Sequence, residues 1–148
     1  MLYIFDLDGT LANDSHRQHH LDKAPPDWEA FFAECPNDEP VRPLFRLMNL
    51  LLRQQPEVEV EIWTGRSRAY FDVTVEWLQK YMASSCRILM RAEGDFRRST
   101  IVKGGWLEEK FSQGIKPADI YVFEDRAKDA QWWREQGVTC LQVADNPW

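Results

Sequence analysis

The sequence predicts a three-layer α/β sandwich around a five-stranded parallel sheet, and three observations support this fold class. Short apolar runs alternate with segments of helical periodicity along the 148 residues, as parallel strands covered by helices do. Turn and helix-stop signals, Lys116-Pro117-Ala118 and Gly137, separate the last units. A chain of this length buries roughly two-thirds of its unfolded surface, enough for one domain. We therefore expect a single Rossmann-like domain over residues 1–148.

The alternation assigns the elements in chain order. The strands are expected at Leu2–Asp6, Val58–Trp63, Arg87–Met90, Ile120–Phe123 and Val138–Gln142. The helices are expected at 41–53, 68–82, 100–111 and 127–136. In the second helix, apolar residues recur at helical spacing and are predicted to face the sheet; they are Tyr70, Val73, Trp77, Leu78 and Tyr81.

Residues 13–43 do not fit the alternation. They contain prolines 25, 26, 36 and 40, together with Trp28, Phe31 and Phe32 at helical spacing. We expect a small helical cap insertion above the carboxyl end of the first strand, where open parallel sheets bind ligands. The three aromatic residues are predicted to form the hydrophobic core of this insertion; base stacking is the alternative.

Composition limits the classes of partner. The net charge of -6 and the pI near 5.1 argue against wrapping a long nucleic-acid backbone, but they allow contact with one phosphate or strand end. Cys35, Cys86 and Cys140 show neither disulfide nor zinc spacing, so reduced thiols in a cytoplasmic protein are expected. No segment is apolar for long enough to cross a membrane, and Met1 leads directly into a strand rather than a signal peptide.

The first strand ends in two nearby carboxylates, in Asp6-Leu7-Asp8-Gly9-Thr10. Carboxylates this close repel one another when both are ionised, so they favour a cation between them. A hard oxygen-seeking ion such as Mg2+ suits this donor set, and phosphate is the substrate that such an ion commonly serves. The alternative to a metal site is a purely structural role, as an Asp-rich turn followed by a helix cap.

Polar groups also follow the later strands. Thr64-Gly65-Arg66 comes after the second strand, where a hydroxyl and backbone amides at a helix start would suit an oxyanion. Lys103 follows the third strand, on or near a helix, and Glu124-Asp125 follows the fourth, with Asp129 one turn later. Parallel strands bring these ends to one edge, so the order of groups predicts phosphoryl transfer through an aspartyl phosphate.

These motifs resemble those of the haloacid dehalogenase (HAD) superfamily, in its phosphatase branch. The closest likeness is to the 3'-phosphatase domain of phage-type polynucleotide kinase-phosphatases. It rests on Leu89-Met90-Arg91, Gly94-Asp95-x-Arg97 ahead of Val102-Lys103, Glu124-Asp125-Arg126 and Trp132-Trp133-Arg134. Two departures are Glu124, where the family more often has Asp, and the tail 144–148, which lacks the family's Gly-Asp-aromatic ending.

The resemblance implies a role for each motif. Asp6 would be the nucleophile, and Asp8 would protonate the leaving alkoxide and then deprotonate water. Mg2+ would lie between Asp6, the Asp8 backbone carbonyl and Asp125, while Thr64 and Lys103 would hold the transferring oxygens. Glu124 would reach the ion or a water bound to it. Substrate contact is expected from Gly65, Arg66, Arg17, Arg91, Arg97 and Arg126.

The predicted activity is a Mg2+-dependent phosphomonoesterase that removes 3'-phosphates from nucleic-acid ends. A phosphatase for free nucleotides or another small metabolite is the first alternative, and a non-catalytic binding module that keeps the fold is the second. The sequence contains no Gly-x4-Gly-Lys-Ser/Thr loop, so any 5'-kinase or ligase would be a separate partner. The sequence gives no prediction for the oligomeric state.

Overall fold

A five-stranded parallel sheet lies at the centre of the protein, whose computed structural model describes residues 1–146. The strands are β1 Leu2–Phe5, β4 Glu59–Ser67, β5 Arg87–Arg91, β6 Ile120–Arg126 and β7 Thr139–Asn146. Their order across the sheet is β5-β4-β1-β6-β7, and every neighbouring pair is parallel. The first strand is therefore central, and the chain crosses to one side of it and then to the other. The tail 144–148, which differs from the family's usual ending, includes Pro147 and Trp148, and these two residues lie outside the described residues.

Helices cover both faces of this sheet. They are α1 Trp28–Ala33, α2 Arg42–Leu52, α3 Phe71–Gln79, α4 Ser99–Ser112 and α5 Ala127–Glu135. Because side chains alternate along a strand, Leu2 and Ile4 pack in the apolar cluster of α4 and α5, whereas Phe5 packs in that of α2 and α3. The predicted three-layer α/β fold is confirmed.

The predicted inner face of the second long helix is wrong at Tyr70, which contacts Phe32 from the turn before the helix, and at Val73. A short 3-10 turn, Arg68–Tyr70, precedes α3, so the α-helix begins later than expected. Val73 is 36% exposed, while Thr74, Trp77 and Leu78 are buried. The buried stripe therefore begins at Thr74, whose hydroxyl accepts a hydrogen bond from Arg66.

Four strands, β4 to β7, continue past their predicted ends, and in β4 and β6 the extra residues carry the motifs. In β4 the register with β5 shifts between Thr64 and Ser67, and in β6 the register with β7 shifts between Glu124 and Arg126. The expectation that Thr64-Gly65-Arg66 opens a helix is thus wrong, because this segment is the irregular end of a strand. Such irregularities redirect side chains beside functional sites.

The segment 13–43 combines short helical pieces with a small ribbon. The 3-10 turns Ser15–His20 and Cys35–Asn37 flank α1, and β2 (Ala12–Asn13) pairs antiparallel with β3 (Glu39–Pro40). The ribbon closes the base of the segment, and strands this short leave no periodicity in the sequence. The division into one domain and a cap stays a prediction. Among the described residues, no helix is long and apolar enough to cross a membrane.

Candidate active site

The predicted motif residues surround one cavity of about 170 Å³ at the carboxyl edge of the sheet. It is lined from the sheet by Asp6, Asp8, Thr64, Gly65, Arg66, Glu124 and Asp125, and from α4 by Lys103. The segment 13–43 supplies the opposite wall through Asp14, Gln18, Leu21, Trp28, Phe31 and Phe32. The sheet brings together side chains that lie more than 100 residues apart in the chain.

The turn after β1 depends on a glycine. Gly9 has φ of +83°, and the backbone N–H groups of Thr10 and Ala12 donate to the Leu7 carbonyl at 3.1 and 2.9 Å. A Cβ at Gly9 would lie 2.2 Å from Oδ2 of Asp125, so a side chain there would both strain the backbone and displace this carboxylate. The Thr10 hydroxyl donates to Oδ1 of Asp125 at 3.3 Å. The sequence analysis assigned no role to Thr10.

Asp6 lies against a buried lysine. Lys103 Nζ donates to Oδ1 of Asp6 at 2.7 Å and to Oε2 of Glu124 at 3.0 Å. Burial and the negative charge of Glu124 raise the pKa of Asp6 well above its usual range, although Lys103 acts in the opposite direction. Burial disfavours the charge on Lys103, but the Asp6 and Glu124 carboxylates outweigh it and raise the pKa of the ammonium group. Lys103 therefore stays cationic between these two carboxylates.

Three acidic side chains form a donor set for a cation. Asp6, Glu124 and Asp125 are buried, and each offers a carboxylate oxygen within 4.8 Å of the others. Lys103 forms ion pairs with two of them, Asp6 and Glu124. Buried charges need compensation, and oxygen donors at this spacing fit a hard ion such as Mg2+.

Asp8 is held by two arginines rather than by a lysine. Nη2 of Arg17 and Nη2 of Arg66 each donate to Oδ1 of Asp8 at 2.5 Å. Burial alone would raise the pKa of Asp8, but the charges of Arg66 and Arg17 lower it to about 2. The two aspartates of the motif thus differ in character: burial and Glu124 disfavour the charge on Asp6, whereas the arginines stabilise that on Asp8.

Asp38, which was not predicted from the sequence, binds the arginine that contacts Asp8. Asp38 is buried and accepts from Arg17 Nε at 2.7 Å and Arg17 Nη2 at 2.5 Å, a bidentate pair. His16 Nε2 lies 2.8 Å from the same carboxylate. A lone acid in a proline-rich segment gives no sequence signal. Only the fold brings Asp38 behind Arg17.

The end of β4 supplies a buried hydroxyl, and the end of β5 supplies an anchored arginine. Thr64 is buried, and its Oγ1 accepts from the Arg66 N–H at 3.1 Å. Arg91 Nε donates to the Gly65 carbonyl at 2.7 Å, and its Nη1 donates to the carbonyls of Asp95, at 3.1 Å, and Arg97. Backbone acceptors thus fix the guanidinium of Arg91 at the cavity wall.

The predicted substrate-binding arginines fall into two groups. Arg66, Arg91 and Arg126 line the cavity. Arg17 lies in the layer behind Asp8 and is fully buried, while the Arg97 guanidinium pairs with a neighbouring carboxylate in a largely exposed position. The structure therefore does not bring Arg17 and Arg97 to the cavity surface; they support Asp8 and Arg91 respectively. Substrate contact by any of these residues stays a prediction.

A comparison with known protein families identifies the family of this chain. The model of the polynucleotide kinase PNKP phosphatase domain matches residues 1–148. The chain belongs to this family. It is a phosphatase of the HAD type, as the sequence motifs indicated.

Solved structures share this fold. The structure of a Pnkp1/Rnl/Hen1 complex contains a chain with 24% identity and a TM-score of 0.80, over 99% of this chain and 46% of that one. The structure of the Pnkp1/Rnl/Hen1 RNA repair complex contains a chain with 25% identity and a TM-score of 0.76, over 99% of this chain and 43% of that one. A HAD-superfamily hydrolase of subfamily IA from Geobacter sulfurreducens PCA has 15% identity and a TM-score of 0.59 over 99% of this chain and 88% of that one. The chain spans less than half the length of the two Pnkp1 chains.

Proposed function

We propose that this PNKP-family phosphatase removes 3'-phosphates from nucleic-acid ends in a Mg2+-dependent reaction through an aspartyl phosphate on Asp6. The observation that carries the proposal is the contact of Asp6 with Lys103 at 2.7 Å, beside Glu124 and Asp125, in a cavity that Thr64 also lines. This site combines a carboxylate nucleophile with groups that compensate the charge of a phosphate.

The first half of the reaction transfers the phosphoryl group to the protein. One oxygen of Asp6 attacks phosphorus, the bond to the leaving 3'-oxygen breaks, and Asp8 gives that oxygen a proton. Substrate phosphate would oppose the two arginines that hold Asp8 and would raise its pKa, which favours the protonated form that this step needs. Lys103 and the Thr64 hydroxyl would hold the transferring oxygens.

The second half releases phosphate. Asp8, now ionised and steadied by Arg17 and Arg66, accepts a proton from the water that attacks the acyl phosphate, and Asp6 is restored. Asp6, the Asp8 backbone carbonyl and Asp125 would hold Mg2+, with Glu124 in reach of the ion or its water. When bound, the ion would offset the charge between phosphate and carboxylates.

The preference for nucleic-acid 3' ends is supported by the family, whose name refers to polynucleotides, and by the arginines at the cavity. Arg91 and Arg126 line it on a protein that is otherwise acidic. One related chain was solved in an RNA repair complex. A separate kinase or ligase would be the natural partner of an end-healing phosphatase.

A phosphatase for free nucleotides is the second candidate, favoured by the net charge of -6 and the small cavity. Phosphate release with Mg2+ separates the two, using a 3'-phosphorylated oligonucleotide, its 5'-phosphorylated twin, and 3'- and 5'-mononucleotides. The Asp6→Asn protein is the blank. We expect strong preference for the 3'-phosphorylated oligonucleotide; equal or faster turnover of mononucleotides would select the second candidate.

A further inference from the structure

The aromatic residues of the segment 13–43 divide into a buried and an exposed part. Phe31 is 3% exposed, and its ring lies under the Arg17 guanidinium, 4.2 Å from centroid to Cζ. It is thus core, as predicted. Trp28 is 54% exposed and lines the same cavity as Asp6 and Lys103. The prediction that all three aromatics are core is therefore wrong for Trp28.

The exposed ring of Trp28 is fixed rather than loose. It stacks on Phe32, with centroids 5.9 Å apart and planes inclined by 26°, and meets the edge of Phe31 at 5.9 Å and 86°. Phe32 in turn contacts Tyr70, which follows the end of β4, at 5.4 Å. Asp27 caps α1 by accepting from the Ala30 N–H at 3.0 Å, which fixes the turn that carries Trp28.

Trp28 and Phe32 together form what we term the aromatic shelf. It is continuous with the acidic and basic residues of the active site, because all of them line one cavity. A phosphate that reaches Asp6 and Lys103 must carry its leaving group out of this cavity. The shelf offers that leaving group a flat apolar surface, which suits an aromatic ring better than a sugar or an aliphatic chain.

We propose that the aromatic shelf stacks the base of the terminal nucleotide whose 3'-phosphate is removed. This inference rests on the proposed function, since the phosphate site fixes where the nucleotide lies. Stacking accepts every base because each has a π-face, so the shelf would select for a nucleotide without selecting a sequence. A terminal base would then be required, and purines would be favoured over pyrimidines by their larger ring area.

A base-deletion cycle tests the shelf. Two 3'-phosphorylated oligonucleotides, one ending in adenine and one ending in an abasic site, are compared with the wild-type protein and with Trp28→Ala. We expect Trp28→Ala to lower kcat/KM on the adenine end about 5-fold to 100-fold. Removal of the base should cost the wild-type protein a similar factor, and Trp28→Ala should lose little on the abasic end. Trp28→Phe should recover most of the activity.

The matched control is Leu50→Ala, which removes another exposed apolar side chain, on α2 and outside the cavity. It should leave both substrates unaffected. Equal losses by Trp28→Ala on the adenine and abasic ends would overturn base stacking and show a structural role for the ring. A loss of activity by Trp28→Phe as large as that by Trp28→Ala would do the same.

A binding measurement keeps this test separate from the proposed function. The Asp6→Asn protein and its Trp28→Ala derivative are titrated with the same two oligonucleotides. Tighter binding of the adenine end than of the abasic end, lost with Trp28, supports the shelf even if turnover fails. Turnover without base-dependent binding or kinetics would leave the phosphatase intact and reject the shelf. Absence of both turnover and base-dependent binding would reject the proposed function and the role of the shelf together.

Discussion

Residue 38 illustrates how one buried carboxylate can control another that is closer to the chemistry. Asp38 binds two nitrogens of Arg17, and Arg17 in turn donates to Asp8 at 2.5 Å. Arg66 reaches Asp8 from the other side and is held by Thr74 at 3.0 Å. Asp8, the residue that we propose to transfer protons, is thus oriented by a network whose outer members, Asp38 and Thr74, do not line the cavity.

We predict that Asp38→Asn lowers kcat about 10-fold to 100-fold, as the loss of an outer hydrogen-bonding partner does at comparable sites. The amide nitrogen would face the donors of Arg17, so the arginine would no longer fix Asp8. Breaking a buried ion pair also costs about 3–5 kcal/mol in the free energy of unfolding, which chemical denaturation would measure. Asp22→Asn, which changes an exposed acid on the same segment, is the control. Unchanged kcat in Asp38→Asn would contradict this role.

We predict that Asp14 lowers the free energy of unfolding as the pH rises. Its carboxyl lines the cavity, and burial together with the nearby Asp8 raises its pKa to about 6. Unfolding returns the pKa to its ordinary value near 3.9. The folded state therefore binds more protons between about pH 4 and pH 6, and stability falls as pH rises through this window.

Asp14→Asn should accordingly raise the free energy of unfolding by about 1–3 kcal/mol at pH 8 and by almost nothing at pH 4. The asparagine oxygen can still accept the hydrogen bond that Gln18 gives to Asp14. Denaturation of both proteins at the two pH values is the measurement. A difference of equal size at pH 4 and pH 8 would show that the charge is not its cause.

At the scale of elements, a buried ion pair joins α4, the helix that carries Lys103, to the strand β4. Lys110, two turns further along α4, donates to Oε1 of Glu61 at 2.5 Å and to Oε1 of Glu59 at 3.0 Å. The Trp63 indole N–H donates to the second oxygen of Glu61 at 2.6 Å. These contacts join α4 to β4, which supplies Thr64 to the same cavity.

Lys110→Met should lower the free energy of unfolding by about 3–5 kcal/mol, because Glu61 would remain buried with only the half-exposed Arg87, 3.9 Å away, as a cationic partner. The double variant Lys110→Met with Glu61→Met should recover most of that loss, since no buried charge is then unpaired. Denaturant unfolding of the two single variants and the double variant provides the test. A double variant no more stable than Lys110→Met would refute the coupling.

How far the sequence predicts each element follows from the range of its interactions. The strands and long helices are visible because their apolar periodicity is local, and the motif residues are visible because they follow strand ends. The irregular ends of β4 and β6 were missed, since pairing across the sheet determines them. Asp38 and Thr10 were missed for the same reason: each acquires its role from a partner 21 or 115 residues away in the chain.

At the scale of the whole molecule, folding concentrates negative charge at one place. Asp6, Glu124 and Asp125 are buried together, and burial also raises the pKa of the nearby Asp129. The fold holds the carboxylate oxygens of Asp6, Glu124 and Asp125 within 4.8 Å of one another. Binding of Mg2+ should therefore stabilise the entire protein, because an ion that binds only the folded state shifts the unfolding equilibrium.

We predict that Mg2+ raises the Tm of the wild-type protein and that a chelator reverses the effect, with about 2.7 kcal/mol of added stability at 100 times the Kd. Asp125→Asn should gain little stability from Mg2+, because one carboxylate of the proposed ligand set is removed. Thermal melts with and without the ion test both statements. A full Mg2+ response in Asp125→Asn would contradict the assignment of this ligand.

The central claim is that Asp6 carries the phosphoryl group, and trapping that group on the protein tests it most directly. The wild-type protein is mixed with Mg2+ and an oligonucleotide labelled in its 3'-phosphate, quenched in acid during turnover, and analysed for label on the peptide that contains Asp6. We expect label that hydroxylamine removes, as an acyl phosphate requires, and none in Asp6→Asn. Rapid phosphate release with no label on the wild-type protein, and with Asp6→Asn still active, would contradict the account.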